Sequence, residues 1–180
     1  GDNNLHILVC AKPTLDPRIS PGKFRIDSTG KEVVPPDGIH PVISTFDEYA
    51  LEIAMRLKEA SNGRVTIMTM GQESAKEVLK HGIAMGADEG VLLQDPAFED
   101  SDSFATAYIL SKAIEKLGDC DLIVCGRQAA DWDGAVVGSV LGEILKRPVV
   151  TVASKVDLAG SNIRVERNVP DGYEVIEMQM

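Results

Sequence analysis

Leu5-His-Ile-Leu-Val-Cys10 is a nearly continuous apolar run, typical of a β-strand that is buried on both faces. Four further runs of similar character follow it along the 180-residue chain, and we predict a strand in each: Arg64–Met70, Gly90–Leu93, Asp121–Cys125 and Val149–Ala153. Pro148 stands directly before the last of these runs. The sequence therefore predicts five strands, the first of them near the start of the chain.

Helical segments separate these strands. Residues that favour helix starts precede apolar stretches with helical spacing, and glycine or proline follows most of them. The predicted helices run from Ser44 or Thr45 to Gly63, from about Glu73 to Met85, from Asp102 or Ser103 to Leu117, and from about Gly134 to Lys146. Strictly alternating strands and helices predict an α/β fold with a doubly wound, mostly parallel sheet of about five strands and helices on both faces.

Two segments depart from this alternation. Residues 12–41 hold most of the prolines and form an irregular arm with a predicted hairpin around Asp27–Gly30. Residues 154–180 alternate polar and apolar positions, which predicts an antiparallel β meander. The last strand stops at Met180 without a terminating turn, so we expect the meander to be truncated. We treat residues 1–180 as a single domain.

The composition restricts the partners. There are 28 acidic and 18 basic residues, a formal charge of −10, which disfavours nucleic acid as a ligand. The apolar runs are shorter than the roughly 20 residues of a membrane span, so no membrane insertion is expected. Cys10, Cys120 and Cys125 form no CxxC pair and suggest neither zinc nor disulfides. We expect a soluble protein of a reducing compartment.

The loop after the fourth predicted strand is the richest candidate site. It reads Gly126-Arg-Gln-Ala-Ala-Asp-Trp-Asp-Gly-Ala-Val-Val-Gly138 and leads into a helix. Glycine allows a backbone to approach an anion closely, and a helix N-terminus offers unpaired N–H groups. Arg127 could supply positive charge, whereas Asp131 and Asp133 are expected to cap the helix or bind ribose hydroxyls. Phosphate binding and glycines that only permit tight strand–helix packing explain this pattern equally well.

Catalytic and metal-binding patterns are missing from the sequence. The loop matches neither GxGxxG nor GxxxxGK[ST], and there is no GxSxG. His6, His40 and His81 are scattered. We interpret the acidic cluster of Asp95, Glu99, Asp100 and Asp102 as a helix-capping loop. These patterns favour a binding protein without a bond-making active site of its own.

Several motifs occur in one order and together resemble the beta subunit of electron-transfer flavoproteins. They cover most of the chain: Leu5–Lys12, Phe46–Glu52, Arg56–Lys58, Met85–Asp88, Cys125–Asp131, Arg164–Arg167 and Gly172–Val175. The resemblance implies a fold of the adenine-nucleotide alpha-hydrolase kind. It also implies a heterodimer with an alpha subunit that carries the redox FAD, and dehydrogenases of the acyl-CoA type as electron donors. The resemblance also implies that the protein works in the bacterial cytoplasm or, less favoured, in the mitochondrial matrix.

The same resemblance implies a nucleotide in this subunit, AMP in simple carriers or a second FAD in electron-bifurcating members. By analogy it would contact the end of the first strand, the entry of the first helix, the end of the second strand and the glycine loop. The residues are Cys10, Ala11, Ser44, Thr45, Phe46, Asp47, Met70, Gly126, Arg127, Gln128, Ala129, Asp131, Asp133, Gly134, Ala135, Val136 and Val137.

Two departures from the family pattern concern this site. Ser44-Thr45 stands where the family commonly has Asn-Pro, and Gly134 and Val136 stand where it tends to carry Thr and Gln. A second hypothesis is a regulatory domain like the universal stress proteins, which bind ATP or AMP and use a Gly-Ser pair such as Gly138-Ser139. An adenylating enzyme of the ATP-pyrophosphatase group ranks last, because Ala11–Thr14 replaces its Ser-Gly-Gly loop.

Overall fold

The computed structural model describes residues 4–127 and 135–180. In chain order its strands are β1 (His6–Cys10), β2 (Pro13–Thr14), β3 (Arg25–Ile26), β4 (Val33–Val34), β5 (Val42–Ile43), β6 (Arg64–Met70), β7 (Glu89–Leu93), β8 (Leu122–Cys125), β9 (Ala153–Ala159), β10 (Asn162–Val169) and β11 (Gly172–Gln179). Its α-helices are α1 (Thr45–Ser61), α2 (Lys76–Met85), α3 (Ser103–Leu117) and α4 (Ala135–Leu145).

The central sheet is parallel and has the strand order β7-β6-β1-β8. The chain moves outward from β1 through β6 to β7, and α3 then carries it back to β8 on the other side of β1. The strand order therefore reverses between β1 and β8, which is the place where open α/β sheets bind their ligands. The predicted parallel α/β architecture is confirmed.

Burial on both faces explains the continuous apolar run of β1, whose five residues are all buried. Ile7 and Val9 belong to one core cluster with residues of α1 and α2, including Leu51. Leu8 and Cys10 belong to a second cluster with residues of α3 and α4 on the opposite face. Each fully buried aliphatic side chain stabilises the fold by about 1.5–3 kcal/mol.

The prediction of a fifth strand in this sheet is wrong. Residues 147–152 form no strand, and Ala153 opens β9 of the meander instead. Lys146 and Val152 adopt left-handed φ values of 55° and 59°, which redirect the chain at both ends of the segment. Between them Val149 packs tightly on α4, where its Cγ2 atom would lie 2.0 Å from a Cβ atom on Gly142. Within the described residues the parallel sheet therefore has four strands.

The other predicted elements are confirmed with small shifts. β9, β10 and β11 form the antiparallel meander, and its Ile163 and Val165 join the core beside α1. β3 and β4 form the hairpin of the 12–41 arm. Helix α1 ends at Ser61 with Asn62 in the left-handed conformation, before the predicted Gly63. Tyr49 of α1 is 60% exposed, so this aromatic residue does not belong to the buried face of the helix.

Candidate functional site

A cleft of about 1130 Å³ lies at the carboxyl ends of all four parallel strands. Its walls come from the residues that follow each strand: Cys10–Pro13 after β1, Met70–Glu73 after β6, the connection between Gln94 and Ser103 after β7, and Cys125 and Gly126 after β8. Val137 and Gly138, near the start of α4, complete the described wall beside β8. The cleft thus sits at the reversal of strand order between β1 and β8.

Six of the residues predicted to contact a nucleotide line this cleft: Cys10, Ala11, Asp47, Met70, Gly126 and Val137. Others are described but do not contribute to its wall: Ser44, Thr45, Phe46, Arg127 and Val136. Ser44 is buried and acts as the N-cap of α1, while Thr45, Arg127 and Val136 are exposed. Gln128, Ala129, Asp131, Asp133 and Gly134 lie outside the described residues, and Ala135 is the first residue of α4.

Asp47 joins three segments at the cleft. Its Oδ2 atom accepts a hydrogen bond from the backbone N–H of Lys12 at 2.8 Å. The backbone N–H of Gly126 also donates to its carboxylate, and its own N–H donates to Ser44 Oγ at 3.1 Å. Burial raises the pKa of Asp47 above its ordinary value, although the hydrogen bonds that its carboxylate accepts oppose that rise. The carboxylate therefore ties the turn after β1 and the turn after β8 to the first turn of α1.

Gly126 and Gly138, which both line the cleft, are glycine for different reasons. A Cβ atom on Gly126 would lie 2.2 Å from Asp47 Oδ1 and 3.0 Å from the Asp47 backbone nitrogen, so packing alone requires glycine there. A Cβ atom on Gly138 would lie 3.7 Å from Cys125 Cβ and 3.9 Å from its Sγ, which are ordinary contacts. Packing between strand and helix therefore explains Gly126 but leaves Gly138 unexplained.

The charge around the cleft is uneven. The connection between β7 and α3 brings Asp95, Glu99, Asp100 and Asp102 to one wall. Asp95 accepts a hydrogen bond from the N–H of Ala97, and Asp102 caps α3 by accepting one from Ala105 at 2.7 Å. The predicted capping role of these two is confirmed, but the sequence interpretation missed that the segment also lines the cleft. Ligands of open α/β sheets bind at the carboxyl ends of the strands, and this segment directly follows β7. Its position in the sequence could therefore have indicated that it lines the cleft.

The histidines lie away from the cleft wall. His6 Nε2 is 2.8 Å from Thr66 Oγ1 inside the sheet, and His81 Nε2 is 2.9 Å from Glu48 Oε1 between α2 and α1. Within residues 4–127 and 136–180, no group of three His, Cys, Asp or Glu side chains could hold a metal ion. The same residues include no helix long and apolar enough to cross a bilayer. The described cleft thus offers backbone groups, the Lys12 side chain, two thiols and carboxylates to a ligand.

Two of the family motifs recognised in the sequence meet in the structure, away from the cleft. Lys58 Nζ lies 2.9 Å from the Gly86 carbonyl oxygen and 2.7 Å from Asp88 Oδ1. Asp88 Oδ2 in turn accepts the backbone N–H of Val65 at the start of β6. Gly86 adopts a φ of 119° where α2 ends, a conformation that favours glycine. The Met85–Asp88 motif therefore positions β6 and β7.

The comparison with known proteins decides among the hypotheses. A family model described as the electron transfer flavoprotein domain matches residues 33–180. The chain belongs to the electron transfer flavoprotein family. The resemblance noted in the sequence is confirmed, and the family match favours it over the hypothesis of a universal-stress-protein-like domain.

Several of its relatives are named electron transfer flavoprotein subunit beta. The chain is 43% identical over 175 residues to the electron transfer flavoprotein subunit beta of Thermoanaerobacterium thermosaccharolyticum, covering 97% of this chain and 65% of the relative. It is 40% identical to the caffeyl-CoA reductase-Etf complex subunit CarD of Acetobacterium woodii, covering 98% and 66%. It is 34% identical to protein FixA of Azorhizobium caulinodans, covering 98% and 63%. The chain thus spans about two thirds of the length of these relatives.

Proposed function

We propose that this chain binds one adenine nucleotide, AMP or FAD, in the cleft at the carboxyl ends of β1, β6, β7 and β8. Together with a flavin-carrying alpha subunit it serves as an electron carrier and makes or breaks no bonds of a metabolite itself. The position of the cleft, at the reversal of strand order beside a glycine turn and a helix start, carries this proposal.

The phosphate end of the nucleotide belongs on the β8 side. The N-terminal end of α4 directs its backbone N–H groups and the positive end of the helix dipole there. The opposite wall carries Asp95, Glu99, Asp100 and Asp102, whose negative charge would repel a phosphate. Lys12, whose backbone lies beside Asp47, lines the cleft between these walls. The adenine and ribose would then extend from α4 across the ends of β1 and β6.

The contact set is accordingly smaller than the sequence alone suggested. We assign ligand contacts to Cys10, Ala11, Met70, Val137 and Gly138, all of which line the cleft. Asp47 and Gly126 shape the site through their mutual packing. Ser44, Thr45 and Phe46 act by starting α1, which brings Asp47 into place.

The names of two relatives suggest the enzymes that exchange electrons with this carrier. One relative is the subunit of a caffeyl-CoA reductase complex, and another, from Anaerotignum propionicum, is the acryloyl-CoA reductase electron transfer subunit gamma. The second is 42% identical over 161 residues. We propose that enzymes acting on acyl-CoA thioesters, dehydrogenases or reductases, are the electron donors or acceptors of this carrier.

Copurification tests this proposal. The full-length protein is expressed together with its candidate alpha subunit, purified under native conditions, and denatured to release its nucleotides. Absorbance and mass spectrometry then count flavin and AMP for each heterodimer. One FAD and one AMP would identify a simple carrier, and two FAD without AMP a bifurcating one. A colourless beta chain that stays monomeric and carries no nucleotide would contradict the proposal.

A further inference from the structure

Two cysteines lie side by side on the floor of the cleft. Cys10 ends β1, Cys125 ends β8, and the two are direct register partners in the parallel sheet. Neighbouring parallel strands lie about 4.8 Å apart, and side chains at partner positions project from the same face. Both cysteines line the cleft, and both belong to the second core cluster or pack against it. Neither forms a disulfide in this structure.

The two thiols contact each other. Hydrogen bonding with the Cys125 side chain is the largest cause that raises the pKa of Cys10, and burial and the nearby Asp47 carboxylate add to it. These causes favour the neutral thiol of Cys10 over its thiolate. A ligand that binds both sulfur atoms and leaves no net charge is therefore favoured at this buried place.

A trivalent arsenical meets these conditions. Its arsenic atom bonds two adjacent sulfur atoms, and the product carries no net charge. The cleft, about 1130 Å³ in volume, has room for it. The third cysteine, Cys120, offers a contrast: it is buried, its thiol donates to the Leu122 carbonyl oxygen at 3.3 Å, and it does not line the cleft.

We propose that Cys10 and Cys125 form a dithiol site that captures trivalent arsenicals of the type R–As(OH)₂ at the floor of the cleft. Two As–S bonds form and two As–O bonds break. The thiol protons leave with the two hydroxyl groups as two molecules of water. No electron is transferred, and arsenic remains trivalent. This site goes beyond the proposed nucleotide function and does not depend on it.

Phenylarsine oxide is the probe for this site. Mass spectrometry of the purified chain should show one arsenical per chain in the wild type and in C120S. The apparent affinity should fall at least tenfold in C10S and in C125S. The adduct should resist a monothiol and be removed by 1,2-ethanedithiol, because only a dithiol replaces both As–S bonds. An adduct that C10S and C125S retain at wild-type affinity, or that C120S loses, would overturn the proposal.

A footprint on the wild-type chain makes the test independent of how well the variants fold. After treatment with phenylarsine oxide the protein is denatured, alkylated with iodoacetamide and digested. Peptides with Cys10 and Cys125 should remain unalkylated, while the peptide with Cys120 becomes fully alkylated. Alkylation of both Cys10 and Cys125, or protection of Cys120 in place of either, would contradict the assignment.

Discussion

Asp47 Oδ1 lies 2.2 Å from the place that a Cβ atom on Gly126 would occupy. The carboxylate also accepts N–H groups from Gly126 and from Lys12. One side chain at the start of α1 therefore holds the two turns that flank the reversal of strand order. The shape of the cleft depends on this contact, and the predictions below begin with it.

G126A should destabilise the fold. The added methyl group must displace Asp47 and disturb both hydrogen-bonded turns, an overpacking cost of about 1–3 kcal/mol. Urea denaturation followed by circular dichroism measures the change in the free energy of unfolding. A variant that unfolds at the wild-type urea concentration would show that Asp47 and Gly126 are not packed as described.

G138A is the matched control for G126A, because it adds the same methyl group to the cleft at a position without a close neighbour. Its methyl group would meet Cys125 at 3.7–3.9 Å, and alanine in a helix is favoured over glycine by roughly 0.5–1 kcal/mol. We expect wild-type or higher stability. The methyl group nevertheless occupies the cleft beside the proposed phosphate position, so the Kd for AMP should rise at least tenfold in calorimetric titration. An unchanged Kd would remove Gly138 from the nucleotide site.

D47N should change how stability depends on pH. Burial raises the folded-state pKa of Asp47 above its unfolded value of 3.8, so the folded state holds this proton more tightly. The stability of the wild-type protein is thereby reduced progressively as the pH rises from the unfolded pKa through the folded one. Asparagine has no such titration. The stability of D47N relative to the wild type should therefore increase across this pH range.

Denaturation of both proteins at several pH values from 4 to 8 checks the sign of that effect. The amide oxygen of D47N can still accept the Lys12 N–H, which makes this the conservative replacement. A difference between the two proteins that is constant with pH, or that falls as the pH rises, would contradict the raised pKa.

G142A should destabilise the exit from α4. A Cβ atom there would lie 2.0 Å from Val149 Cγ2 and 3.3 Å from the Arg147 carbonyl oxygen. We expect a loss of about 1–3 kcal/mol, and V149A should recover much of it because it removes the clashing methyl group. The double-mutant cycle G142A/V149A measures this coupling in urea. Additive single effects would mean that Val149 does not pack on α4.

The sequence predicted the elements of the fold where local pattern and tertiary environment agree. β1 and β6 are covered on both faces, so their apolar runs are continuous. The run at 149–153 has the same composition, yet it forms no strand of the parallel sheet. The path of this segment depends on the close packing of Val149 against Gly142 of α4, a contact that no local sequence pattern encodes.

The location of the cleft was predictable for the same kind of reason. Parallel strands end at one edge, so Cys10, Met70 and Gly126 could be brought together before any coordinates were known. The role of Asp47 could not be predicted, because its partners Lys12 and Gly126 are distant in sequence. Its burial depends on the start of α1 and on the turns after β1 and β8. Asp95 and Asp102 were interpreted only as caps, since capping is a local signal and cleft lining is not.

Photolabelling tests the central claim that an adenine nucleotide occupies the cleft. The full-length protein is irradiated with 8-azido-AMP, with and without excess AMP, and the labelled peptides are identified by mass spectrometry. The account predicts AMP-protected labelling in peptides that line the cleft, those following β1, β6, β7 or β8. Labelling confined to the meander, residues 153–179, or labelling that excess AMP does not reduce, would contradict it.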